Sequence, residues 1–190
     1  VSKGAIYLHF DSKEALFEAL LLRAVRRYSA RWFELVEADP QGGTMAGIYK
    51  NILYALRESP FMMALFKRDA HVLGSYVRKP DNRFRSAGGM RTEFLQMMQA
   101  TGAIRPDVDV KVMAHIMNIF SYGLVSIDEV VEADTIPPLD DVIETMGEMM
   151  DRMLAPESNE NANEAGKAVV RQLMAASQQH FADEPETTDD

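Results

Sequence analysis

The chain of 190 residues contains no cysteine, which excludes disulfides and thiolate metal sites and fits a reducing compartment. No apolar run in the sequence approaches the length needed to span a bilayer, and no signal peptide is visible, so the expectation is a cytoplasmic chain with no membrane partner. The residue patterns of common catalysts are also missing. There is no Gly-x-Ser-x-Gly, no phosphate-binding loop and no His-Glu-x-x-His, and none of the four histidines has Glu three residues ahead of it. We therefore expect no enzyme, no catalytic residue, no metal site and no cofactor. Basic charge is in short supply too, with 20 Lys and Arg against 29 Asp and Glu and a formal net charge of −9. The deficit is unevenly spread. Residues 1–31 carry six basic side chains against three acidic, residues 32–127 eleven against nine, and residues 128–190 only three against seventeen. An anionic partner is thus disfavoured at the C-terminal end and tolerated at the N-terminal end, because binding follows local rather than total charge.

What is present is helical periodicity, so the predicted fold class is all-α. Ser2 reads as an N-cap for a short helix over about 3–9. Asp11, with Glu14 three residues on, reads as a capping box opening a long helix to about Glu37. On that helix Phe17, Leu21, Tyr28 and Trp32 recur at three- and four-residue steps. Asp39-Pro-Gln-Gly-Gly43 breaks it. Further helices are expected over about 44–58, 61–77, 83–100, 108–131, 139–155 and 165–181, with Pro60 at a first helical position and a costly Gly88-Gly89 inside the fourth. The helix over 108–131 is apolar nearly all round, so it needs cover on more than one side, and a second copy of the chain would supply it. Residues 183–190 are acidic and are expected to be disordered.

The short first helix, with Lys3, Tyr7 and His9 as donors and a small waist at Gly4-Ala5, suits the second helix of a helix-turn-helix. The run Val1-Ser-Lys-Gly-x-x-Tyr-x-x-Phe-x-Ser-Lys-Glu-x-Leu16 resembles the signature around the recognition helix of tetracycline-repressor (TetR) family transcriptional regulators. The resemblance is dense over Val1–Phe17 and architectural beyond it. It implies two further helices ahead of Val1, so the helix-turn-helix is expected to be truncated here. It also implies that Tyr7 and Lys13 hold phosphates, that His9 touches backbone or a base edge, and that Ser2, Lys3 and Ala5 face the major groove. The implied organisation is a partial head over 1–17, a helical effector-binding and dimerisation body over 18–155, and a linker, extra helix and acidic tail over 156–190. The implied partners are palindromic operator DNA, a small-molecule effector, and a second copy meeting through helices about 108–131 and 139–155. Alternatively, the chain is a dimeric helical binding module without DNA binding.

Candidate effector contacts come from the soft side chains Met62, Met63, Phe66, Met90, Phe94, Met97, Met98, Met113, Met117 and Phe120. Thirteen methionines suit an adaptable apolar cavity, although methionine fills ordinary cores at the same spacing. Arg91 and His115 are candidate polar anchors there. The clusters Lys67, Arg68, Arg78, Lys79, Arg83 and Arg85, and Asp128 to Glu144, read as solvated faces.

Overall fold

The structure, a computed structural model, describes residues 10, 12–67, 69, 91–157 and 161–182, with side chains to 177 in the last stretch. Among the described residues there are seven α-helices and no strand, so the fold is all-α. They are α1 Lys13–Ala38, α2 Met45–Arg57, α3 Pro60–Lys67, α4 Thr92–Ala100, α5 Val110–Ser126, α6 Leu139–Leu154 and α7 Ala162–Ala182, with 3-10 turns at Ile127–Glu129 and Ala133–Thr135.

Local chemistry sets the boundaries. The hydroxyl of Ser12, one residue after the expected Asp11, caps α1 by accepting from the Ala15 amide at 3.0 Å. Asp11 lies outside the described residues. Thr44 caps α2 through Gly47 N, and Asp109 caps α5 through the amides of Lys111 and Val112. α3 ends at Lys67 and α4 opens at Thr92; most of what the periodicity placed in helices between these points, Gly88-Gly89 included, lies outside the described residues. After α4, Gly102 adopts φ 76°, a conformation only glycine reaches without strain, and turns the chain toward α5.

Packing gives two hydrophobic clusters. The larger is built on Val36, Ile48, Tyr49, Leu53, Leu95, Met98, Ile104, Met117, Ile143 and Leu154, drawn from α1, α2, α4, α5, α6 and the α4–α5 turn. Each such side chain contributes about 1.5–3 kcal/mol by leaving water. The smaller joins Leu21 of α1, Leu56 of α2, Met62 and Leu65 of α3 and Val125 of α5, with Phe17 and Phe61 rings 6.0 Å apart at its edge. Helix α2 is the centre of the body, packed against α1 and α6, while α3 and α4 lie on α5.

One sequence expectation changes here. Val110–Glu129 has the length and hydropathy (mean 1.4) of a membrane-crossing segment, and a third of its apolar window is buried inside the protomer. Its inner face carries Met113, Met117 and Val125 into the core, and its outer face leaves Val112, Ile119 and Tyr122 each 54% exposed. Two apolar faces on one helix raise the average hydropathy that a single buried stripe would give.

Candidate nucleic-acid interface and effector pocket

Of the DNA-contact candidates, Ser2, Lys3, Ala5, Tyr7 and His9 lie outside the described residues. Lys13 is described. It is the first residue of α1, and its side chain is exposed. The N-terminal half of α1 is lightly held. Leu21 is its first fully buried residue, and Phe17 is tied to the body by its contact with Phe61. Farther along, Trp32 and Val36 enter the large core. With 26 residues, α1 is about 39 Å long, so it carries Lys13 well away from its anchored end.

The methionine and phenylalanine candidates divide between the clusters. Met62 is fully buried in the smaller one, with Met63 and Phe66 packed against it. Phe94, Met98, Met113 and Met117 are buried in the larger one, with Met97 and Phe120 packed against it. Met90 lies outside the described residues. Arg91 and His115 are both exposed, so neither stands as a polar anchor inside the body. Buried polar groups in the larger core mostly find partners. The Tyr49 hydroxyl donates to Met117 O at 3.0 Å and lies 3.1 Å from Ser121 Oγ, and burial pushes its pKa up to about 12. The exception is Trp32. Its indole Nε1 is buried and has no hydrogen-bond partner, while its ring meets Phe94 edge-on at 6.2 Å. Four residues earlier on the same helix face, the pKa of the Tyr28 hydroxyl is also raised by burial.

A cavity of about 610 Å³ opens on the outer side of α5 and α6. Ile119, Phe120, Gly123 and Leu124 form one wall, Leu139, Val142, Met146 and Met149 the other, and the loop from Ile127 through Pro137 the end. The lining takes in Phe120 but none of the other effector candidates. A side chain added at Gly123 would meet nothing within 4 Å, so the glycine opens this groove. The all-round apolarity of residues 108–131 was the sequence signal for such a face; the loop residues Thr135 and Ile136 carried none.

Ion pairs tie α2 and α3 to the elements that form the groove. Lys67 Nζ at the end of α3 is 2.9 Å from Asp128, whose pKa the contact lowers while that of Lys67 rises. Glu144 on α6 accepts from Lys50 Nζ and Tyr54 Oη, each at 2.8 Å, and those bonds lower its pKa. Arg57 pairs with Asp140. Among the described residues no group of three or more His, Asp or Glu is placed to hold a metal ion.

Against known proteins, the family described as bacterial regulatory proteins, tetR family, matches residues 1–20. No curated protein and no solved structure matches the chain. The match covers 20 of the 190 residues and supports a likeness to tetR-family regulators at this end of the chain. It ends eight residues into α1, so the helix that begins in the family signature is the one that runs into the body core.

Proposed function

We propose that the chain is a cytoplasmic, homodimeric transcriptional repressor that a small, largely apolar effector releases from operator DNA. The observation that carries this reading is the tetR-family match over residues 1–20, continuous with a helix whose far end lies in the core. Residues 1–17 belong to the DNA-binding head, 18–155 to the effector-binding and dimerisation body, and 156–190 to the C-terminal extension. Ser2, Lys3 and Ala5 face the major groove, Tyr7 and Lys13 hold phosphates, and His9 reaches backbone or a base edge. Phosphate contacts fix register and base-edge contacts specify sequence.

Dimerisation is assigned to α5 and α6. Val112, Ile119, Tyr122, Val130, Met149 and Met153 are exposed along these helices and the turn between them, apolar surface that a second copy would cover. A two-fold dimer would hold two heads about 34–36 Å apart, one turn of DNA. Effector binding is assigned to the methionine-rich body. The support is its soft side chains and the buried Trp32 N–H, an unmet donor that costs about 1–3 kcal/mol and that an acceptor on the effector would satisfy. An effector shifts the heads only by favouring one of two body conformations.

The test is salt-dependent binding of the natively expressed, full-length chain to sheared genomic DNA, with Tyr7→Phe and Lys13→Ala beside it. Selective capture of palindromic fragments is expected, weakened by both substitutions. For Lys13→Ala the slope of log affinity against log salt should fall by about 0.9, one phosphate's worth. Absence of selective capture by wild type would remove DNA binding from the account.

A further inference from the structure

Helix α1 ends without a basic residue in its last turn, so its C-terminal carbonyls lack the local cation that usually meets the negative end of the helix dipole. The cation comes from the opposite end of the sequence. Lys167 of α7 is 7% exposed, and its Nζ donates to Glu37 O at 3.2 Å and to Asp39 O at 2.9 Å. One turn before it, Asn163 donates to Pro40 O and accepts from the Gly43 amide, both at 2.8 Å. One turn after it, Arg171 grips the Glu37 carboxylate with two parallel bonds of 2.9 and 2.8 Å. Asn163, Lys167 and Arg171 stand at four-residue spacing, on one stripe of α7. The backbones touch between them, since a side chain added at Gly166 would fall 1.9 Å from Gly43 O.

We propose that this stripe is a positioning clasp: α7 fixes the direction in which α1 leaves the body, and thereby the place of the DNA-binding end. The leverage is large. A tilt of about 5° at the clasp moves the start of a 39 Å helix by about 3 Å. Only the consequence for DNA rests on the regulator reading; the control of α1 by α7 rests on the contacts themselves.

The sequence has no native cysteine, so two can be placed cleanly. Glu14→Cys at the head end of α1 and Asp141→Cys on α6 are both exposed sites. Spin labels there, in full-length protein diluted with unlabelled chain, report the direction of α1 by pulsed electron resonance. Lys167→Met and Arg171→Ala are the clasp variants; Arg171 is half exposed, so its substitution keeps the test alive if Lys167→Met fails to fold. The expected result is a distance distribution shifted or broadened by about 3 Å or more in the variants. A parallel binding series varies the spacing between operator half-sites. Variants should bind the wild-type spacing about tenfold more weakly and lose or move the spacing optimum, with Arg171→Lys restoring it in part. Unchanged distances in every folded variant overturn the clasp. So does an unchanged spacing optimum beside shifted distances, because a tie that only adds stability would weaken all spacings alike. If wild type binds no DNA at any spacing, the regulator reading falls, and the distances still decide the control of α1.

Discussion

Tyr49 shows how a polar atom is held in the core and what it contributes there. The hydroxyl donates to Met117 O, and Ser121 Oγ donates to the same carbonyl at 2.9 Å. Removing the hydroxyl therefore strands neither the carbonyl nor the serine. Tyr49→Phe is expected to cost only about 0.5–1 kcal/mol by urea denaturation, at the lower end for a buried hydrogen bond. Tyr49→Ala, which removes a ring that is 1% exposed, should cost about 3–5 kcal/mol. Equal losses for the two variants would mean that the hydroxyl, not the ring, organises this part of the core. The apolar positions Met98 and Met117 were legible in the sequence because burial repeats with the helical period. The partners of Tyr49 were not, because a contact across 68 positions leaves no local pattern. The effector candidates show the same limit. Met98 and Met117 differ from Met149 in what lies opposite them, and periodicity does not record which of two apolar faces meets a void.

Between elements, the chain depends on a few close crossings. The α7 backbone reaches the turn after α1 at Gly43 and Gly166, and each position would place an added Cβ within 2 Å of the other segment's backbone. Nothing flexible stands there to give way. Gly166→Ala should therefore destabilise the fold by more than about 2 kcal/mol, even though alanine is the better helix former by about 1 kcal/mol. An unchanged thermal midpoint would place α7 elsewhere. The sequence marked Gly42 and Gly43 only as a turn and Gly166 not at all, since a crossing is defined by two segments at once. Helix starts were legible to within a residue or two: the helices expected from about 44 and 108 begin at Met45 and Val110, behind the caps Thr44 and Asp109. The start of α1 differed by one residue because Asp11 and Ser12 are both competent caps.

Ionisation adds a test of the same helices from the alkaline side. Tyr49 and Tyr54 are both raised to about 12, Tyr49 by burial and Tyr54 by burial and its bond to Glu144. Because their folded values exceed the unfolded value near 10, their contribution is complete below about pH 10 and is lost as pH rises through 12. Phenolate absorbance for these two should appear together with loss of helical circular dichroism rather than before it. Glu37, Glu144 and Asp128 have the opposite sign, since their bonded carboxylates are depressed. Their contribution is present above about pH 4.5 and fades as pH falls. It should be small and reduced by salt, because these pairs are substantially exposed.

For the whole molecule, charge and apolar surface pull the two proposed partners in opposite directions. The α5–α6 face offers Ile119, Tyr122 and Met149 to a second copy, but residues 128–157 carry ten acidic side chains against one basic. Lys67, Arg57 and Lys50 neutralise some of them within the protomer, and the remainder would meet their own kind across a two-fold axis. Screening relieves that repulsion while leaving apolar burial intact. Dimerisation should therefore tighten as sodium chloride rises from 50 to 500 mM, measured by sedimentation equilibrium. DNA binding should weaken steeply over the same range, because each phosphate contact releases a counterion. Ile119→Glu, which places a further negative charge on the exposed face, should yield a folded monomer at concentrations where wild type is dimeric, and salt should restore its dimer only in part. A dimer that instead loosens with salt would be held by charge pairs. Its interface would then have to lie away from the acidic face, and the proposed spacing of the two heads would go with it.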